Sequence, residues 1–196
     1  MDNRPCFIFC GAIGADSLWK VWAERARHRI VECLPTGGGL EQYREETIRV
    51  GHSLHRPFPT LIPYTNLLLM RNIKAVSMTK QIYAVGLLKG KEIQGGTAWA
   101  CQAMINRNDQ TDVLYFFDQI TGHWYRYSRE ASGFVPALPF APIGTWLGIG
   151  SRDLTPIGEK AIAEVWERTP EGGRPVGFLE DKKEQMALHP EDWPTS

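Results

Sequence analysis

Three short glycine-rich turns are the residues of this chain whose types and spacing could do chemistry. They are Gly11-Ala12-Ile13-Gly14-Ala15-Asp16-Ser17, Gly95-Gly96-Thr97 and Leu147-Gly148-Ile149-Gly150-Ser151-Arg152-Asp153. Each lies between an apolar run and a helical pattern, the place where a strand-to-helix bend can hold an anion. A helix N-terminus there offers unpaired N–H groups and the positive end of a dipole, and glycine lets the backbone come close to a phosphate. One such turn is equally explained by tight packing. Three that converge on one crevice point to a phosphate-bearing ligand.

The elements that must position these turns follow from periodicity. Cys6 to Cys10 is a short buried-strand pattern, and Ala15 to Arg27 carries Leu18, Trp19, Trp22 and Ala26 at helical spacing. Ile30 to Leu34 is a second strand, closed by Pro35 and the Gly37-Gly38-Gly39 run. Residues 40–50 read as a charged helix, and residues 51–66, with three prolines and two histidines, as a functional loop or lid. A helix over 66–79, a strand over 81–88, a helix over 98–105 and a strand over 113–117 come next, with a hairpin return at Trp124 to Tyr127. Residues 128–142 read as a Pro-containing connection, Trp146 to Ile149 as a late strand, and 155–168 as a helix opened by Thr155-Pro156. Alternating strands and helices of these lengths predict an α/β fold: one Rossmann-like, three-layer domain with a mostly parallel sheet over residues 1–169, and a loose tail over 170–196.

Composition narrows the partners. A chain of 196 residues, 43% apolar, can bury one substantial core. Lys plus Arg and Asp plus Glu balance at 22 each, which counts against a nucleic-acid-coating protein. Cys6, Cys10, Cys33 and Cys101 form no CxxC pair and sit in mostly apolar contexts, as reduced core thiols do. No apolar run approaches the ~18 residues of a membrane span and no signal core opens the chain, so a cytoplasmic protein without a membrane partner is expected. His52 and His55 have no third ligand in view, so no metal is expected. The aromatics Tyr115, Phe116, Phe117, Trp124, Tyr125 and Tyr127 could stack a base, but core packing explains them better.

Arg71-Asn72 on a helix, the strand Ile82-Tyr83-Ala84-Val85-Gly86, and Gly95-Gly96-Thr97 opening a helix together resemble the core signature of the SLOG superfamily, which includes the LOG phosphoribohydrolases and the DprA/Smf proteins. The loop from Gly11 to Asp16 resembles the Gly-Gly-Ala-x-Gly-Ala-Asp loop of the YspA/YpsA-like branch. Gly148-Ile149-Gly150-Ser151-Arg152 resembles that branch's first strand and loop. In those relatives the Gly-Ser-Arg element comes first, whereas here it comes last, as in a circularly permuted YpsA-like member. Such a rearrangement is tolerated because domain termini often lie close together. Two departures stand out: Phe9-Cys10 replace the Ser-Gly common in relatives, and the helix after Thr97 lacks the glutamate that LOG enzymes use for N-glycosidic hydrolysis.

The resemblance implies a module that binds or senses a nucleotide-derived small molecule related to NAD, ADP-ribose or a nucleoside phosphate. It also implies a homodimer, and no cofactor. On that reading Gly95, Gly96, Thr97 and the loop Gly11, Gly14, Ala15, Asp16, Ser17 hold phosphate. Arg71 and Arg152 neutralise charge, Asn72 or Asp118 meets a ribose hydroxyl, and Gly86, Gly150 and Ser151 complete the edge. The alternative is an N-glycosidic hydrolase or transferase, which needs a carboxylate near the anomeric carbon. Asp118 is placed better for that than Glu92, and Asp16 is a third candidate whose plainer role is at a helix start. DprA-like binding of single-stranded DNA is a further reading, which the neutral charge disfavours.

Overall fold

Strands buried along almost their whole length can only lie inside a sheet covered on both faces. That pattern holds for β1 (Cys6–Phe9), β3 (Gln81–Gly86), β6 (Val113–Asp118) and β9 (Thr145–Gly150). In the computed structural model, which describes residues 4–36, 39–90 and 92–167, they join β2 (Arg29–Glu32), β7 (His123–Ser128) and β8 (Gly133–Pro136) in one seven-stranded sheet. Its order is β2-β1-β9-β3-β6-β7-β8. The strands from β2 across to β6 are parallel, and β7 and β8 fold back antiparallel.

Successive residues of a strand point to opposite faces, and that alternation builds two cores. On one side Phe7, Tyr83, Val85 and Trp146 pack against Trp19 of α1 (Ala15–Arg25) and Ile162 and Val165 of α5 (Pro156–Glu167). On the other, Ile8, Ile82, Phe116 and Leu147 pack with residues of α2 (Arg44–Ser53), α3 (Pro63–Ser77) and α4 (Thr97–Asn106), among them Val50, Ile73 and Trp99. The three-layer α/β domain is therefore as the sequence pattern predicts. All four cysteines are buried and free, and they share the second core.

The last strand sits in the middle of the sheet. β9 pairs with β1 on one side and β3 on the other. Small residues make the insertion possible: a methyl group on Gly148 would overlap the Trp19 indole, and one on Gly150 would overlap the Val85 carbonyl and the Ala15 side chain. Thr155 opens α5 as expected, its hydroxyl accepting the Gly158 N–H at 3.2 Å.

Three segments differ from the sequence reading. The expected connection over 128–142 contains edge strand β8, which a Pro136 end and half-buried residues had disguised. Lys89, Glu92 and Ile93 of the charged stretch belong to a separate two-stranded ribbon, β4 (Leu88–Lys89) with β5 (Glu92–Ile93), too short to show any period. The loop over 51–66 is shorter than expected, because α2 runs to Ser53 and α3 begins at Pro63. Asn66 of α3 folds back to bond the Thr60 N–H at 2.7 Å and the Thr60 carbonyl at 3.1 Å, closing that loop over the helix start. The tail over 170–196 lies outside the described residues, as do Gly37 and Gly38.

The Gly148 contact gives a direct check on the packing. Gly148→Ala is expected to lower the unfolding free energy by about 1–3 kcal/mol, the usual cost of overpacking, as read by urea denaturation.

Candidate functional site

The parallel strands end at one edge, and all three glycine turns gather there. β1 runs into Gly11, β9 into Ser151, and β3 through the short ribbon into Gly95. The first and last turns pack on each other. Ala15 N–H donates to the Ser151 carbonyl at 3.1 Å and Ser151 N–H to the Val85 carbonyl at 2.7 Å. Gly14 has φ +85°, and a side chain there would come within 2.5 Å of the Ser151 and Arg152 carbonyls. At Gly14 and Gly150, then, glycine serves the close approach of two loops. The first N–H of α1 is engaged with Ser151 and is not free for a phosphate.

The middle turn is different. Gly95 and Gly96 are exposed, and Gly95 adopts φ +69° with nothing within 4 Å of where a side chain would be. Among the described residues no side chain caps α4; its Trp99 N–H turns back to the Gly96 carbonyl at 3.1 Å, and the positive end of its dipole lies at the two exposed glycines. Beside it lies a cation that the sequence does not mark: Arg56 donates to the Gly95 carbonyl at 3.0 Å and to the Ile93 carbonyl at 3.1 Å. Arg56 lies 39 residues before Gly95, in the loop between α2 and α3, and no local pattern singles it out.

A buried polar chain connects this turn to the first one. Arg71, 6% exposed, reaches from α3 to the Cys10 carbonyl and donates through Nε and Nη2 to Asn72 Oδ1 at 3.3 and 2.9 Å. Asn72 Nδ2 in turn donates to the Gly96 carbonyl at 3.3 Å. The expected Arg71 and Asn72 are thus at the edge, built into its frame. Asp16 of α1 is fully buried, and its Oδ1 accepts the Gly150 N–H at 2.9 Å, while Oδ2 has no hydrogen-bond partner among the described residues. Burial pushes its pKa up to about 7, against the opposing pull of the Gly150 N–H and the Arg71 charge. The Cys10 thiol is also held well above its usual range, by burial first and then by the Asp16 charge.

No family model, curated protein or solved structure matches the chain. The chemistry of the edge therefore rests on its own residues. Asp118 is at the end of β6, but its carboxylate is engaged: Oδ1 accepts the Leu88 and Ile120 N–H groups at 3.0 and 3.2 Å, and Oδ2 the Thr121 N–H and hydroxyl at 3.2 and 2.9 Å. It fixes the β6–β7 turn. Gly86 is buried beside Phe116 and Thr97. Arg152 is exposed and lines, with Ser17, Leu18 and Glu159, an open groove of about 430 Å³ between α1 and α5. Ser17 donates to the Ala12 carbonyl at 2.8 Å and latches the first loop. Glu92 is exposed in the ribbon. The expected aromatic cluster is core: Tyr115, Phe116, Phe117, Trp124 and Tyr125 are all buried.

The raised carboxyl of Asp16 has a consequence for stability. Between its ordinary value near 4 and about 7, the folded chain keeps a proton that the unfolded chain releases, so rising pH through that window destabilises the fold. Asp16→Asn keeps an acceptor for Gly150 and has no proton to lose. Relative to that variant, the parent is expected to lose on the order of 4 kcal/mol of stability from pH 4 to 8, measured by denaturant melts at each pH.

Proposed function

We propose that this protein binds a phosphate-bearing, nucleotide-derived ligand along the carboxyl edge of its sheet, with the phosphate at Gly95-Gly96-Thr97. The observation that carries this reading is the start of α4, which no described side chain caps and which two exposed glycines precede. Arg56 supplies positive charge beside it, and the buried Arg71-Asn72 pair holds the turn from behind. Thr97, buried to all but 6%, adds a hydroxyl that has no hydrogen bond to another described residue. Open parallel sheets take ligands at this edge, where amides and dipoles converge on an anion.

Binding is favoured over hydrolysis because Asp118, the carboxylate best placed by sequence, spends both oxygens on its own turn, and Asp16, which keeps one oxygen without a partner among the described residues, is fully buried. The resemblance to permuted SLOG proteins belongs to the same proposal, as does the homodimer it implies.

The test is native mass spectrometry of the full chain with AMP, NAD, ADP-ribose and cyclic ADP-ribose, following both complexes and released products. A stoichiometric complex with no new small molecule is the expected result; released base would return the hydrolytic reading, and neither complex nor product would overturn the proposal. Gly96→Ala separates site from fold. Gly96 has helical dihedrals and its nearest neighbour to a new methyl is Asn72 Nδ2 at 4.0 Å, so the variant is expected to melt like the parent. Its affinity for the ligand should fall about tenfold or more, since a methyl group would stand where the phosphate approaches.

A further inference from the structure

We infer that the groove between α1 and α5 takes a second half of the ligand, an assignment that rests on the nucleotide-binding reading above. That half is a further phosphate and a sugar, joined beyond the phosphate held at Gly95-Gly96-Thr97. The course of the chain at the sheet edge points there. β1 and β9 lead into α1 and α5 on one face, whereas β3 leads through the ribbon into α4 on the other. β9 and β3 are neighbours in the sheet, so their connections part between them. Where neighbouring strands send their connections to opposite faces, a crevice opens at the carboxyl ends, and dinucleotides lie across it.

The phosphate turn and the groove are the two sides of that crevice. On the α4 side, Thr97 stands next to the end of β3: a methyl group on Gly86 would lie 3.9 Å from the Thr97 side chain. On the other side, the Ser151 N–H bonds the Val85 carbonyl of the same strand, and the Ser151 and Arg152 carbonyls close on Gly14 at the head of the groove. Only one strand spacing, about 4.8 Å, separates β3 from β9. A ligand that runs past its first phosphate therefore reaches Arg152.

Charge sorts what enters the groove, whose volume of about 430 Å³ lies in the range of small-molecule sites. Arg152 and Glu159 line it; both are exposed, and neither side chain has a partner among the described residues. Leu18, Val21 and Leu154 form its apolar wall. A guanidinium draws a phosphate, while a carboxylate repels one and accepts from hydroxyls. A phosphate alone would satisfy Arg152 and leave Glu159 and the wall without a contact. A sugar carried on that phosphate gives hydroxyls to Glu159 and its ring face to the wall, so the fitting class is a nucleoside diphosphate joined to a sugar.

The experiment is calorimetric titration of the full chain with AMP, ADP and ADP-ribose, repeated on Val21→Trp. Val21 lines the groove and is 40% exposed on α1, so a larger side chain there fills the groove and leaves the core alone. The parent is expected to bind ADP-ribose about tenfold or more tighter than AMP, with ADP between them. Val21→Trp should lose that advantage and bind AMP as the parent does, since AMP reaches only the Gly95 turn. If Val21→Trp fails to fold, Glu159→Ala serves instead and should bring ADP-ribose down to the affinity of ADP. Equal affinity of the parent for AMP and ADP-ribose overturns the second half while leaving the nucleotide reading intact. An undiminished preference in the folded variant overturns it too, as does an AMP affinity that falls together with that of ADP-ribose, which would put the mononucleotide itself in the groove. No binding of any of the three by the parent removes the second half together with the nucleotide reading on which it rests.

Discussion

The pairing of β9 between β1 and β3 is the constraint on which the rest of the molecule depends. The β2-β1 pair and the four strands from β3 to β8 meet in the sheet only through this strand, which the chain supplies after all the others. Its start is tied by three hydrogen bonds: the Thr145 carbonyl accepts from the Thr79 hydroxyl and the Lys80 N–H, and the Gly144 carbonyl just before the strand accepts from the Cys6 N–H. Contacts this distant in sequence cost chain entropy before they return anything, so the register must be fixed by strong local fit. Gly148 under Trp19 and Gly150 against Val85 and Ala15 provide that fit, because no larger residue lets the layers approach.

The same insertion creates the polar edge. Bringing the β9 turn onto the β1 turn buries Asp16 and offers it the Gly150 N–H, and it places Arg71 of the opposite layer within reach of the Cys10 carbonyl. Charged groups this deep are expensive unless they are paired or bonded. Arg71 meets the demand with backbone and amide acceptors, whereas Asp16 meets it only in part, with one oxygen that has no partner among the described residues. Asp118, by contrast, makes four bonds and is part of the scaffold. Position at the end of a strand is shared by many carboxylates, and what separates a binding group from a structural one is whether its lone pairs are already used and whether a ligand can reach them.

Much of the fold was legible because its signals are local. The buried strands at Cys6, Gln81, Val113 and Thr145 and the amphipathic helices between them declare themselves by period, and the three glycine turns fall where such elements change direction. The elements that escaped were those with no period to read. β8 is a half-buried edge strand of four residues, and β4 and β5 are two residues each. In the site, Arg71, Asn72 and the Gly95 turn were readable as a pattern, while Arg56 was not, since its partners are carbonyls across the fold.

By itself, the sequence determined the α/β class, the two-sided burial of the central strands and the places where the backbone turns, because each depends on the order of side chains along a few consecutive residues. Only the tertiary structure decided which turn is open. Glycine permits both a tight loop contact and an approach to an anion, and its type alone does not distinguish them. Gly14 and Gly150 are consumed by neighbouring backbone, whereas Gly95 and Gly96 are exposed at a helix start. That difference is set by which loops pack against one another, a property of distant strands meeting in one sheet.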